Sequence, residues 1–109
     1  MASGILGTPA DLTIAGQYTT LYIVPASTFA VASVSIVNRS NTTLAIRLAV
    51  TTQVSGTPLN AEFIEFESSI APKGILERTG LVLNAGIKLV VYSSAVNCNA
   101  VVFGIETAA

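Results

Sequence analysis

The sequence predicts an all-β protein: an antiparallel β-sandwich of about seven or eight short strands, of jelly-roll or immunoglobulin-like type, in a single domain. Three observations lead there. Strand-forming runs recur about every ten to twelve residues, with turn chemistry between them. The clearest run, Thr42 to Val50, alternates with period two: Leu44, Ile46, Leu48 and Val50 share one face, while Thr43, Ala45, Arg47 and Ala49 share the other. No segment sustains the apolar stripe of a helix. A closed barrel is the next architecture that the same pattern allows.

Met1 to Ala10 is mostly small and contains Gly and Pro, which predicts an extended N-terminal arm of the kind a neighbour orders, ahead of a sandwich domain over 11–109. Gln17 to Val24 is the first β-rich run, closed by Pro25-Ala26-Ser27-Thr28. Phe29 to Val37 follows and ends in the turn Asn38-Arg39-Ser40-Asn41, before the alternating run described above. Val54-Ser55-Gly56-Thr57-Pro58 makes a longer loop. Ala61 to Glu67 predicts a strand with Ile64 and Phe66 on one side and Phe63, Glu65 and Glu67 on the other. Ala71-Pro72-Lys73-Gly74 is a turn, with Pro and Gly at its second and fourth positions. Ile75 to Leu83 leads to Asn84-Ala85-Gly86, a short hairpin-type connection. Ile87 to Ser93 places Ile87, Leu89 and Val91 together, and Ala100 to Glu106 does the same for Val101, Phe103 and Ile105. The expected core is Leu44, Ile46, Leu48, Ile87, Leu89, Val101 and Phe103.

Composition narrows the function. Charged residues are 10% of the 109, against about 25% in an ordinary soluble protein, and five Lys and Arg nearly balance six Asp and Glu. Binding to phosphates needs clustered cations, so nucleic acid is not an expected partner. A hydrophobic fraction of 51% excludes an acidic disordered chain. The uncharged stretches Leu12 to Asn38 and Leu89 to Ile105 are interrupted by Gln, Ser, Thr and Asn, so they read as strands, and no membrane partner is expected. Met1-Ala2-Ser3-Gly4 carries no positively charged side chain and no long apolar run follows, unlike a secretory signal.

The chain has no histidine and one cysteine. Cys98 has no disulfide partner and no imidazole to activate it, so a small buried apolar role is expected. There is no Gly-rich phosphate loop, no metal-ligand spacing and no nucleophile elbow. No catalytic, cofactor or metal residue is therefore predicted, and no enzyme. Glu62, Glu65 and Glu67 form the one carboxylate cluster, with Glu65 and Glu67 about 7 Å apart on one strand face. A calcium site or a glycosidase pair is one reading. Ion pairs with Arg47, Lys73, Arg78 or Lys88 are the commoner use of such residues. Glu77 and Arg78 are neighbours in a strand and point oppositely, so one of them could be directed inward or across a subunit boundary; a Glu77–Arg47 or Arg78–Glu65 pair could fix the register of an interface, and a solvated pair is the alternative. Tyr18, Tyr22 and Tyr92, with Phe29, could line a sugar-binding face, although aromatic packing is the more frequent role. The sequons at Asn38 and Asn41 fall in one Asn/Ser-rich turn, which explains them without glycosylation.

Assembly follows from the same charge depletion. Outward positions such as Ser33, Ser35, Thr43, Ala45 and Ala49 are small and uncharged, and few charges guard the strand edges. An interface of about 800 Å² per partner, roughly 60% apolar, gives on the order of 12 kcal/mol per partner before the costs of association. A symmetric homo-oligomer is the expected form.

Particular segments carry a resemblance. Leu21-Tyr22-Ile23-Val24-Pro25-Ala26-Ser27-Thr28-Phe29-Ala30-Val31, then Ser35-Ile36-Val37-Asn38-Arg39, then Ile46-Arg47-Leu48-Ala49-Val50 form a series of strands and turns. With Ala61-Glu62-Phe63-Ile64-Glu65-Phe66, Leu76-Glu77-Arg78-Thr79-Gly80, Val90-Val91-Tyr92-Ser93-Ser94 and Val102-Phe103-Gly104-Ile105-Glu106, the series resembles small β-sandwich virion proteins of tailed bacteriophages, notably those of cyanobacteria. The resemblance covers about residues 17 to 106. It implies a capsid decoration (cement) protein on the outer surface of the head, commonly a trimer, with the major capsid protein as partner and no cofactor. A tail, fibre or baseplate subunit, or a carbohydrate-binding module for host attachment, is the alternative. The interface residues expected on this reading are Ile5 and Leu6 of the arm, with Arg47, Glu65, Glu77 and Arg78.

Overall fold

The computed structural model describes residues 3–12, 14–52 and 58–108. Their strands are β1 (Ser3–Leu12), β2 (Tyr18–Ile23), β3 (Thr28–Asn38), β4 (Leu44–Thr51), β5 (Phe63–Ile70), β6 (Ile75–Leu83), β7 (Lys88–Ser93) and β8 (Cys98–Ala108), with a short 3-10 turn at Asn60–Glu62 before β5. One sheet has the order β1-β8-β3-β6 and the other β2-β7-β4-β5, all antiparallel. The pairs β1 with β8, β2 with β7, β3 with β6 and β4 with β5 are those of one long hairpin, turned between β4 and β5 and then rolled up. Pairing of β3 with β8 and of β4 with β7 closes the roll. This wrap is a jelly roll, so of the two expected sandwich types the immunoglobulin-like one falls away. Of the loop expected at Val54–Pro58, only Pro58 is among the described residues.

The core is the seam between the sheets. Leu44, Ile46, Leu48, Leu89 and Val91 line it from the second sheet, and Ala30, Ala32, Val34, Ile36, Ala100 and Val102 from the first, all nearly inaccessible to water. The bulkier side chains come from β4 and β7 and the smaller from β3 and β8. Large against small is how two pleated faces interdigitate at crystal-like density. Expected core positions on β4 and β7 are thus in place, with Ile87 packed at the margin.

Three expectations are corrected. The segment read as a loose arm is β1, an edge strand hydrogen-bonded to β8 of the same chain, with Leu6 and Leu12 buried. Its glycines read as looseness, but Gly7 sits at φ +68 where a Cβ would lie 2.5 Å from the Leu21 carbonyl oxygen. Glycine is required there because β1 passes close against β2. In β8 the inward face is Cys98, Ala100 and Val102, while Val101, Phe103 and Ile105 turn outward. From Ala100 to Ile105 that strand has no polar side chain, so alternation does not choose a face; the narrow space opposite the leucines takes the smaller set. The Asn84–Gly86 connection is not a hairpin, since β6 and β7 belong to different sheets. The Ala71–Gly74 turn closes through the Gly74 amide donating to the Ala71 carbonyl at 2.8 Å, with Lys73 at φ +61, the positive third-residue torsion of a type II turn.

Leu48→Ala is expected to cost about 2–5 kcal/mol in urea denaturation, because it empties a fully buried site. Val82→Thr, on the outward face of β6, is expected to change stability by less than about 0.5 kcal/mol. Removal of residues 1–10 is expected to destabilise the domain itself by stripping an edge strand and its buried Leu6, which a lowered melting temperature will report.

Candidate functional site

The outward face of the second sheet carries the densest side-chain chemistry. Register sets Tyr18 of β2 opposite Tyr92 of β7, and Tyr92 opposite Arg47 of β4. On the next strand the pairing slips: Ile46 faces Ser68 but Leu48 faces Glu65, so Phe66 and Glu67 together oppose the single Arg47. Such a β-bulge re-aims side chains, and here Glu67 takes φ +53 to do so. The Arg47 guanidinium consequently lies between two rings, 4.4 Å from the centroid of Tyr92 and 4.6 Å from that of Phe66. Its Nε donates to Glu67 Oε2 at 2.7 Å and its Nη1 to the Tyr18 hydroxyl at 2.8 Å. Glu67 first, and then Tyr18, push the Arg47 pKa further above its ordinary value, so its charge is permanent.

Aromatic contact continues beyond the arginine. Tyr18 lies 5.0 Å from Tyr92 and 6.2 Å from Phe63, and Phe63 meets Phe66 edge-on at 5.1 Å. Phe63, Phe66 and Asn60 line a shallow hollow of about 380 Å³. Glu62 seats the turn that brings Asn60 there: it accepts from the Thr51 hydroxyl at 2.7 Å and from the Leu59 amide at 2.8 Å. These bonds, with the Thr51 hydroxyl foremost, hold the Glu62 carboxyl below its usual range.

Of the four aromatic residues considered for one face, two share it. Tyr18 and Tyr92 share this face, but Tyr22 is buried and donates to Glu106, and Phe29 belongs to the other sheet. Phe63, Phe66 and Asn60 were missed as site residues, because the two register shifts in β5 that bring Phe66 opposite Arg47 and Phe63 opposite Ala49 leave no mark on the apolar pattern. The same bulge separates the two carboxylates expected on one face: Glu67 goes outward to Arg47, Glu65 toward the seam.

Arg78 Nη1 reaches Glu65 Oε2 at 2.6 Å. Arg78 is on β6 and Glu65 on β5, the two edge strands on one side of the sandwich, so this pair clasps the sheets within one chain. Tyr22 of β2 and Glu106 of β8 make a second contact from sheet to sheet. Glu77 and Arg47 lie on opposite outer faces and form no pair with each other. Ile5 is exposed on the first sheet, whereas Leu6 is sealed in the core. Asn38 is also buried, its amide nitrogen donating to the Thr42, Ile70 and Ala71 carbonyls, so this sequon asparagine is a structural tie between two turns.

On the outward face of the first sheet, cross-strand rows read Ile105–Val31–Val82, Ile5–Phe103–Ser33, Val101–Ser35–Glu77 and Asp11–Asn99–Val37–Ile75. Val82 is 70% exposed and Phe103 38%. Glu77 and Asp11 are the charged residues in these rows, and Arg39 pairs with Asp11 at 2.6 Å. Cys98 lies beneath, fully buried, and burial raises its thiol pKa. Among the described residues no group of three His, Cys, Asp or Glu is placed to hold a metal ion. No family model, curated protein or solved structure matches the chain.

Burial, and then hydrogen bonding to Glu106, raise the Tyr22 phenol well above its ordinary pKa of 10.0. A raised folded-state value means that the contribution of Tyr22 is fully present below about pH 10 and is lost at higher pH, as the unfolded chain ionises and the folded one resists. Denaturation midpoints measured across the alkaline range are expected to fall more steeply above about pH 10 for the wild type than for Tyr22→Phe.

Proposed function

We propose that the protein is a structural component of a tailed-bacteriophage particle: a decoration protein that coats the outer capsid surface as an oligomer and reinforces the head. Its partners on this reading are copies of itself and the major capsid protein, and its place is the virion. The observation that carries the reading is the outward face of the β1-β8-β3-β6 sheet, an exposed and almost uncharged plane of Ile5, Phe103, Ile105, Val31 and Val82. The jelly-roll wrap supports it, being an architecture that capsid proteins use. So does the resemblance of residues 17–106 to phage virion proteins, which also implies a trimer.

Size bears on the kind of assembly. Four strands about 4.8 Å apart and four same-side rows about 6.8 Å apart give a plane of roughly 500 Å². That is within the range of a large monomer patch, but only about two-thirds of what one partner contributes to a standard interface. One face pressed on one copy is therefore too small for tight binding by itself. Seating on a shell, where each copy touches neighbours and the lattice beneath, supplies the remaining area. Decoration of a repeating surface fits this arithmetic better than a free dimer does.

The wild-type chain is expected to sediment as an oligomer only when concentrated, and to bind capsids that lack it, raising the temperature at which they open. Phe103→Asp combined with Val82→Asp is expected to give a folded monomer, judged by circular dichroism, that no longer binds. Hundreds of copies per purified particle are the expected stoichiometry, whereas a few dozen would assign the chain to the tail, fibre or baseplate. A wild-type protein that remains monomeric when concentrated and ignores particles overturns the proposal.

A further inference from the structure

The two outer faces of the sandwich differ in chemistry, and the second is unsuited to the role given to the first. Its centre is a charged group already neutralised. Arg47 is held by Glu67 at 2.7 Å and flanked by Tyr92 and Phe66, so the cluster has no net charge with which to draw an ion. Beside it Phe66 is 57% exposed, standing edge-on to Phe63 over the hollow of about 380 Å³ that Asn60 rims. Among the described residues, Glu67 Oε1, Arg47 Nη2 and the Asn60 side-chain amide have no hydrogen-bond partner. The hollow thus offers an exposed aromatic ring and, in the Asn60 amide, both a donor and an acceptor, while the Arg47 guanidinium stacks 4.6 Å from the centroid of the same Phe66 ring.

We propose that the Phe66–Phe63–Asn60 hollow binds a neutral pyranose sugar. A pyranose has an apolar face of C–H bonds that stacks on an aromatic ring, and a rim of hydroxyls that each donate and accept. The Asn60 amide matches that rim, since a hydroxyl gives its proton to the amide carbonyl oxygen and receives one from the amide nitrogen. A phosphate or an acidic sugar is disfavoured, because Glu67 already occupies the guanidinium and its own charge repels an anion. An aliphatic ligand would leave the polar rim unpaired. The hollow is at the small end of ligand sites, of order 300–1,000 Å³, which suits one or two sugar rings and weak binding. The site is on the opposite sheet from the proposed assembly face, so each reading stands or falls separately.

The test is a titration of the full-length chain, labelled with nitrogen-15, with lactose, cellobiose and chitobiose, and with glucuronate as the charged control. At least one neutral disaccharide is expected to shift the amide signals of Asn60, Phe63, Phe66 and Glu67 saturably, with millimolar affinity. Phe66→Ala removes an exposed ring and should leave the fold intact while weakening binding at least about tenfold; Asn60→Ala is expected to weaken it less. The double variant Phe103→Asp with Val82→Asp, altered on the other sheet, is expected to bind as the wild type does. Absence of shifts with all three neutral disaccharides, equal shifts in wild type and Phe66→Ala, or a response to glucuronate alone would each overturn the proposal.

Discussion

The seam between the two sheets is the constraint from which the other features follow. Each strand lends it only alternate side chains, so every strand must present an apolar set at period two. Burying a Leu or Ile side chain is worth about 1.5–3 kcal/mol, and β4 and β7 alone supply Leu44, Ile46, Leu48 and Leu89. Against that, the half-exposed Arg78–Glu65 clasp is worth about 0–1 kcal/mol. The seam therefore provides the stability. The clasp and the Tyr22–Glu106 contact hold the margins in register, where an open sandwich leaves its strand edges unpaired.

A sandwich that satisfies its seam is left with two outer faces, and in this chain they differ in chemistry. The first sheet turns out Val, Ile, Phe and Ser, which suits contact with another flat protein surface. On the second sheet Tyr, Arg, Phe, Glu and Asn are concentrated around one bulge in β5. A bulge breaks the ladder to move a side chain, and here it places two residues against Arg47 where regular pairing would place one. The neutral, partly stacked cluster that results has the features of a small-ligand platform more than those of an interface core. Both faces are carried on paired strands, so their side chains are positioned by the sheets beneath them.

Some of this was legible in the residues alone. The alternation of Leu44, Ile46 and Leu48, the spacing of Pro72 and Gly74, and the scarcity of helical stripes determine an antiparallel sandwich and most of its strand limits, because backbone pairing and half-burial impose a period that any sequence of this class must show. The uncharged character of the outer skin is likewise a property of composition. What only the tertiary structure decided are matters of pairing across long distances in the chain. The roll of β1 against β8, the turning outward of Phe103, and the gathering of Asn60, Phe63 and Phe66 beside Arg47 depend on which strand lies opposite which. In β1 glycine serves a close approach and resembles a flexible arm; in β8 no residue from Ala100 to Ile105 has a polar side chain, so both faces read as core; in β5 two register shifts, on either side of Glu65, break the alternation. Each is settled by steric fit against a partner strand remote in sequence, and local periodicity carries no record of that partner.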